Sequence, residues 1–140
     1  KAPHEFAMYE DFISSLTEAC RERLETGSRI CVVAGVDMAH VGPHFGDIEA
    51  LTPGYMQQVE VRDRAYLEAI KSQDKKALWQ HIAEDSDARR ICGFPTMYTI
   101  LDLFERLQLQ YTATLYDYRQ AVDYSTGCAV TFAGMGLYSK

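Results

Sequence analysis

The stretch RICVVAGVDMAHVGPHFGD, residues 29–47, decides how the rest of the chain is read. Its first part, residues 30–36, is an apolar run with several β-branched side chains. That is the pattern of a strand buried on both faces of a sheet flanked by helices. Asp37 and His40 follow, then Gly42, Pro43 and His44, which cannot prolong a strand. Open α/β folds place their sites at the carboxyl ends of such strands. The expected class is therefore α/β, a sheet flanked by helices, with its chemistry at this edge.

Upstream, Tyr9, Phe12, Ile13, Leu16, Cys20 and Leu24 recur at helical spacing, so residues 3–26 are expected to form a helix with one apolar stripe. Early acids (Glu5, Glu10, Asp11) and late bases (Arg21, Arg23) suit its dipole, and Gly27 is the expected C-terminal cap. Residues 37–56 carry no period and are punctuated by glycine and proline, which predicts a long functional loop. Helical patterning resumes near Gln58 and runs to Ile70, with Tyr66 and Ile70 facing inward. A further helix follows the N-cap Asp74, with Leu78, Trp79 and Ile82 on one face. Pro95 suits the first turn of another, whose Met97, Ile100, Leu101, Phe104 and Leu107 form the buried stripe. Residues 111–119 and 127–138 read as two strands paired antiparallel, with Gly134 and Gly136 marking a bulge or a close backbone approach.

At 140 residues the chain has room for one domain with a real core. A net charge of −6 and the lack of any basic run exclude nucleic acid and anionic membranes as expected partners. No apolar run approaches the roughly 20 residues of a membrane span. The first residues contain no apolar signal core, and the chain does not open with Met, so an excised piece of a longer protein is expected. The four cysteines, at 20, 31, 92 and 128, show neither a CxxC nor a zinc-finger spacing. They are expected to be free thiols of a cytoplasmic protein, Cys31 within the buried strand, with no structural zinc site.

Three residues stand out for chemistry. If the chain turns helical after the strand, Asp37 and His40 lie on one side at i and i+3. The carboxylate can then orient the imidazole, join it in holding a metal, or leave it as a general base. The competing structural role has Asp37 capping a turn and His40 as a satisfied polar residue. Cys92 precedes Gly93 and the Pro95 helix start, where unpaired N–H groups favour thiolate over thiol. Its structural alternative is a buried thiol before a helix. His44 and His81 read as surface residues. The chain has no GxGxxG, P-loop or GxSxG.

Three stretches in order, VAGVDMAHVGPHFGD (33–47), ICGFPTMYTILDLF (91–104) and YRQAVDYSTGCAVTFAGMGLY (118–138), resemble the Memo-like proteins, called AmmeMemoRadiSam system protein B in prokaryotes. The resemblance implies the C-terminal part of a fold similar to class III extradiol dioxygenases, whose iron is held by two histidines and a glutamate. It implies a cysteine, here Cys92, at the third ligand position, and an acid/base-type histidine at His40 beside Asp37. Cysteine in place of carboxylate moves preference from iron toward copper or zinc. The family's other two pocket histidines fall in an N-terminal half preceding this chain, so the metal site carried here is incomplete. That missing half, or a second copy, would cover the exposed core. The expected function is a metal-binding, redox protein acting as a metal-dependent oxidoreductase. The alternative is a non-catalytic module gripping a peptide or protein in the same cleft.

Overall fold

The computed structural model describes residues 1–139. A 3-10 turn at Pro3–Glu5 leads into helix α1, Ala7–Glu25. Gly27 closes that helix at a φ of +80°, with its N–H on Leu24 O and the Ser28 N–H on Arg23 O. This paired closure requires the left-handed conformation that glycine adopts without penalty. The expected apolar stripe is only partly realised: Ile13 is buried, whereas Phe12 and Leu24 are exposed.

Helix α2, Pro53–Lys71, begins earlier than the periodicity of its apolar residues implies. Thr52 accepts the Tyr55 N–H as N-cap, and Pro53 takes the first helical position, where no N–H is needed. Helix α3, Lys75–Ala83, is capped by Asp74, whose carboxylate accepts the Ala77 N–H. Helix α4, Phe94–Arg106, has Pro95 in its first turn. Tyr66, Leu67 and Ile70 of α2 pack with Leu78 and Ile82 of α3 and with Phe94, Tyr98 and Leu101 of α4.

The sheet has three antiparallel strands in the order β1-β3-β2, where β1 is His40–Val41, β2 is Tyr111–Asp123 and β3 is Cys128–Ser139. The β2–β3 register shifts between Leu115 and Asp117, so Tyr116 is the bulged residue and lies opposite the Gly134 region. A smaller core of Val41, Leu51, Met56, Val59 and Ala129 seals β1 against α2 and β3. Met38 N–H donates to Thr131 O, and Thr131 N–H to Ala39 O, which draws residues 38–41 onto β3.

The expected buried strand at residues 30–36 is corrected by the structure. These residues belong to no strand, and their backbone makes no backbone hydrogen bond among the described residues. A strand exists only through its neighbours, and β3 spends its ladder on residues 38–41 instead. Val33 is consequently 84% exposed, and Cys31, expected inside, is exposed too. The class is therefore α/β in the broad sense of helices with a small antiparallel sheet. No helix of the described residues is long and apolar enough to cross a membrane.

Two buried carboxylates tie the layers together. Asp63 of α2 accepts from Arg89, from Tyr118 OH at 2.9 Å and from Thr131 Oγ1 at 2.6 Å. Asp102 of α4 accepts from Lys75 Nζ at 2.6 Å, Tyr9 OH at 3.0 Å and Arg106 Nε at 3.2 Å. Burial pushes the Asp102 pKa up, but Lys75, Tyr9 and Arg106 outweigh it and hold the carboxyl below its usual range.

Removing one partner of a buried pair leaves the other charge uncompensated. Asp63→Ala should therefore destabilise the chain by about 3–5 kcal/mol in urea unfolding, and adding Arg89→Met should recover part of that loss. Asp102 behaves differently with pH. Its folded pKa lies below the unfolded one, so its contribution is present above about pH 4 and is lost as pH falls through the folded value. Unfolding followed between neutral and acid pH should show a shallower acid limb in Asp102→Asn than in the parent.

Candidate metal centre

His40 opens β1, and its backbone N–H donates to Arg89 O at 2.7 Å. Its Nδ1 lies 3.1 Å from Arg90 O and 3.2 Å from Met38 O. Both neighbours are carbonyl oxygens, which only accept, so in the neutral ring Nδ1 carries the proton and Nε2 keeps a free lone pair. That nitrogen sits 3.9 Å from Asp37 Oδ2. The Phe45 and His40 rings pack edge-to-face, with centroids 5.3 Å apart.

Cys92 reaches the same place from a distant part of the sequence. It stands two residues before α4, and its Sγ lies 3.5 Å from Asp37 O. Gly93 makes this approach feasible. Its N–H donates to Asp37 O at 3.1 Å, and a Cβ there would lie 2.5 Å from that oxygen and 2.9 Å from Val36 Cγ2. One donor atom each from Asp37, His40 and Cys92 falls within 4.8 Å of the others. His40 is half-buried, whereas Asp37 and Cys92 are exposed, so the cluster opens to solvent on one side.

An imidazole nitrogen, a thiol sulfur and a carboxylate oxygen at this spacing suit a borderline-soft transition ion such as zinc or copper. The carbonyl at Nδ1 adds the outer support that metal-binding histidines usually have. Three donors leave coordination positions free. An open groove of about 840 Å³ runs up to Asp37 and Gly93, lined also by Val36, Tyr66, Met97 and Phe104.

The other histidines and cysteines lie outside the cluster. His44 is exposed on the 3-10 turn Pro43–Phe45 and stacks edge-on against Phe45. His81, expected on the surface, is half-buried against Tyr66 at 5.9 Å, and burial pushes its pKa down. His4 Nδ1 pairs with Tyr98 OH at 2.9 Å. All four cysteines are free thiols.

Residues 89–90, which back His40, escaped the reading of the sequence. Arg90 Nη2 meets Asp47 Oδ1 at 2.6 Å, while Asp47 Oδ2 accepts the Gly42 N–H at 2.6 Å. Burial raises the Asp47 pKa, but Arg90 and the Gly42 N–H outweigh it and leave the carboxyl below its usual range. Two adjacent arginines immediately before ICG were the available signal. Asp63 was likewise visible as a carboxylate within the buried register of Met56, Val59, Tyr66 and Ile70.

Comparison with known proteins bears on this geometry. The sequence model of the family described as Memo-like protein matches residues 5–136. A MEMO1 family protein of Aquifex aeolicus (strain VF5) is 27% identical over 115 residues, which is 82% of this chain. The matched region spans 29% of that relative's length. With nearly all of its residues under the family match, the chain belongs to the Memo-like protein family.

Proposed function

We propose that Asp37, His40 and Cys92 form part of a transition-metal site in a redox protein, a metal-dependent oxidoreductase whose substrate is undefined. The observation that carries this reading is the convergence of three different donor types from segments 55 residues apart. The thiolate makes copper or zinc a better fit than iron. A bound ion would supply Lewis acidity or electron transfer at the open side of the cluster. His40 then offers Nε2 either as a ligand or as a base, with Asp37 Oδ2 3.9 Å away on the same side. Cys92 holds its sulfur toward the same point, and a reducing cytoplasmic setting keeps that sulfur out of disulfides.

On this reading residues 1–140 are the C-terminal part of a larger domain of the class III extradiol dioxygenase type. Polypeptide outside this stretch supplies the remaining ligands. The chain's match to only 29% of its relative's length supports that view. So do the backbone of residues 30–36, unpaired among the described residues, and their exposed apolar side chains. The same groove favours a second reading, a non-catalytic module whose cleft grips a peptide or a protein.

Two measurements separate these readings. Competition titration with Zn(II) and Cu(I) should find weak binding by the 140-residue chain, weakened at least a further tenfold by Cys92→Ser. Tight stoichiometric binding that ignores Cys92→Ser would mean the ligands are wrong, and the cleft reading would then stand alone. Hydrogen exchange addresses the cover: amides 30–36 should exchange rapidly in the 140-residue chain and become strongly protected in the longer gene product. Equal exchange in both would show that the added polypeptide leaves this run uncovered.

A further inference from the structure

Arg90 contacts the proposed site in a way that its sequence position does not announce. Its carbonyl oxygen lies 3.1 Å from His40 Nδ1, and its Nη1 donates to His40 O at 3.1 Å. Its Nη2 meets Asp47 at 2.6 Å, and Asp47 in turn holds the Gly42 N–H, two residues beyond His40. The main chain of residues 40–42 is thereby closed into a ring through one guanidinium and one carboxylate.

Arg90 also sits at a φ of +50°, in the left-handed region that a residue with a Cβ rarely occupies. Such a conformation persists only where its surroundings hold it, and it recurs at functional sites. Here it coincides with a carbonyl aimed at Nδ1. The guanidinium contacts on either side fix where that carbonyl can point.

We infer that Arg90, locked by Asp47, is a positioning residue for His40. Its side chain fixes the shorter of the two backbone carbonyl contacts at Nδ1, the other being Met38 O at 3.2 Å, and so helps present Nε2 with its lone pair toward Asp37 and Cys92. This role rests on the metal reading for its purpose, while the tautomer itself is a property of the metal-free chain. A bidentate guanidinium is needed, because one group must serve His40 O and Asp47 together. Lysine, with a single ammonium on a flexible stem, cannot hold both in a fixed geometry.

The test uses the 140-residue chain with its histidines labelled with nitrogen-15. In the metal-free parent, His40 should show a protonated, pyrrole-type signal at Nδ1 and a pyridine-type signal at Nε2. Arg90→Gly suits the left-handed backbone while removing the guanidinium, so a loss of fold through strain is not expected. It should give mixed tautomer signals and a Zn(II) dissociation constant about 10–100-fold higher. Arg90→Lys should fall between this variant and the parent. Should Arg90→Gly fail to fold, Asp47→Asn carries the same test: it keeps an acceptor for Gly42 and removes the partner charge.

The two failures are distinguishable. If Cys92→Ser leaves Zn(II) affinity unchanged, the metal reading falls, and the tautomer signals still decide the role of Arg90. An unmixed Nδ1–H signature in Arg90→Gly overturns the proposal. So does parental Zn(II) affinity in that variant while Cys92→Ser lowers it.

Discussion

The Asp63 carboxylate is the constraint on which the arrangement depends. It emerges from α2 into the interior and meets Thr131 of β3, Tyr118 of β2 and Arg89 of the segment before α4. Each partner belongs to a different piece of the chain, so one buried charge sets the spacing of helix, sheet and connecting segment together. Burial raises its pKa, while Thr131, Arg89 and Tyr118 pull the other way. Thr131 passes the constraint on, because its Oγ1 also accepts the Ala39 N–H at 2.9 Å. Arg89 does the same through its carbonyl, which receives the His40 N–H. The main chain of residues 39–40 is thus tied to the buried Asp63–Arg89 pair from two sides, through Thr131 at Ala39 and through Arg89 itself at His40.

This placement explains how an exposed cluster can still be ordered. Asp37 and Cys92 face solvent, yet the main chain beneath them is fixed by β3 on one side and by residues 89–93 on the other. A rigid underside with an open upper face suits a centre that admits a further ligand or a substrate. The close pass of Gly93 over Asp37 sets how near the sulfur and the carboxylate come, since any side chain there would hold the two segments apart.

Most of what the sequence made legible was local. Asp74 as an N-cap, Pro95 in a first turn, Gly27 as a helix stop and the antiparallel pairing of the two late strands each rest on chemistry confined to a few residues. Asp37 and His40 are singled out by a strand at 30–36 that does not form, and Cys92 by the helix start that does; the structure nonetheless brings the three side chains together. Two kinds of feature stayed hidden. Thr52 and Pro53 mark the true start of α2, but the signal was submerged in a segment read as loop on its glycines and prolines. The pairs Asp63–Arg89 and Asp47–Arg90 join residues 26 and 43 positions apart; the arginines beside ICG and a carboxylate in a buried register stand out, but nothing local says which meets which. Residues 30–36 differ: their composition matches a buried strand, yet they form none and lie largely exposed, because burial requires neighbours that the described residues do not provide.

That exposed run has a consequence for the protein's fate in a cell. A stretch of valines and isoleucine with no proline and no charge, its backbone unpaired among the described residues, is a template on which identical or foreign segments can stack. Chaperones and proteases act on such stretches as marks of incomplete folding. The seven residues ICVVAGV carry, while bare, the features on which such stacking and such surveillance act.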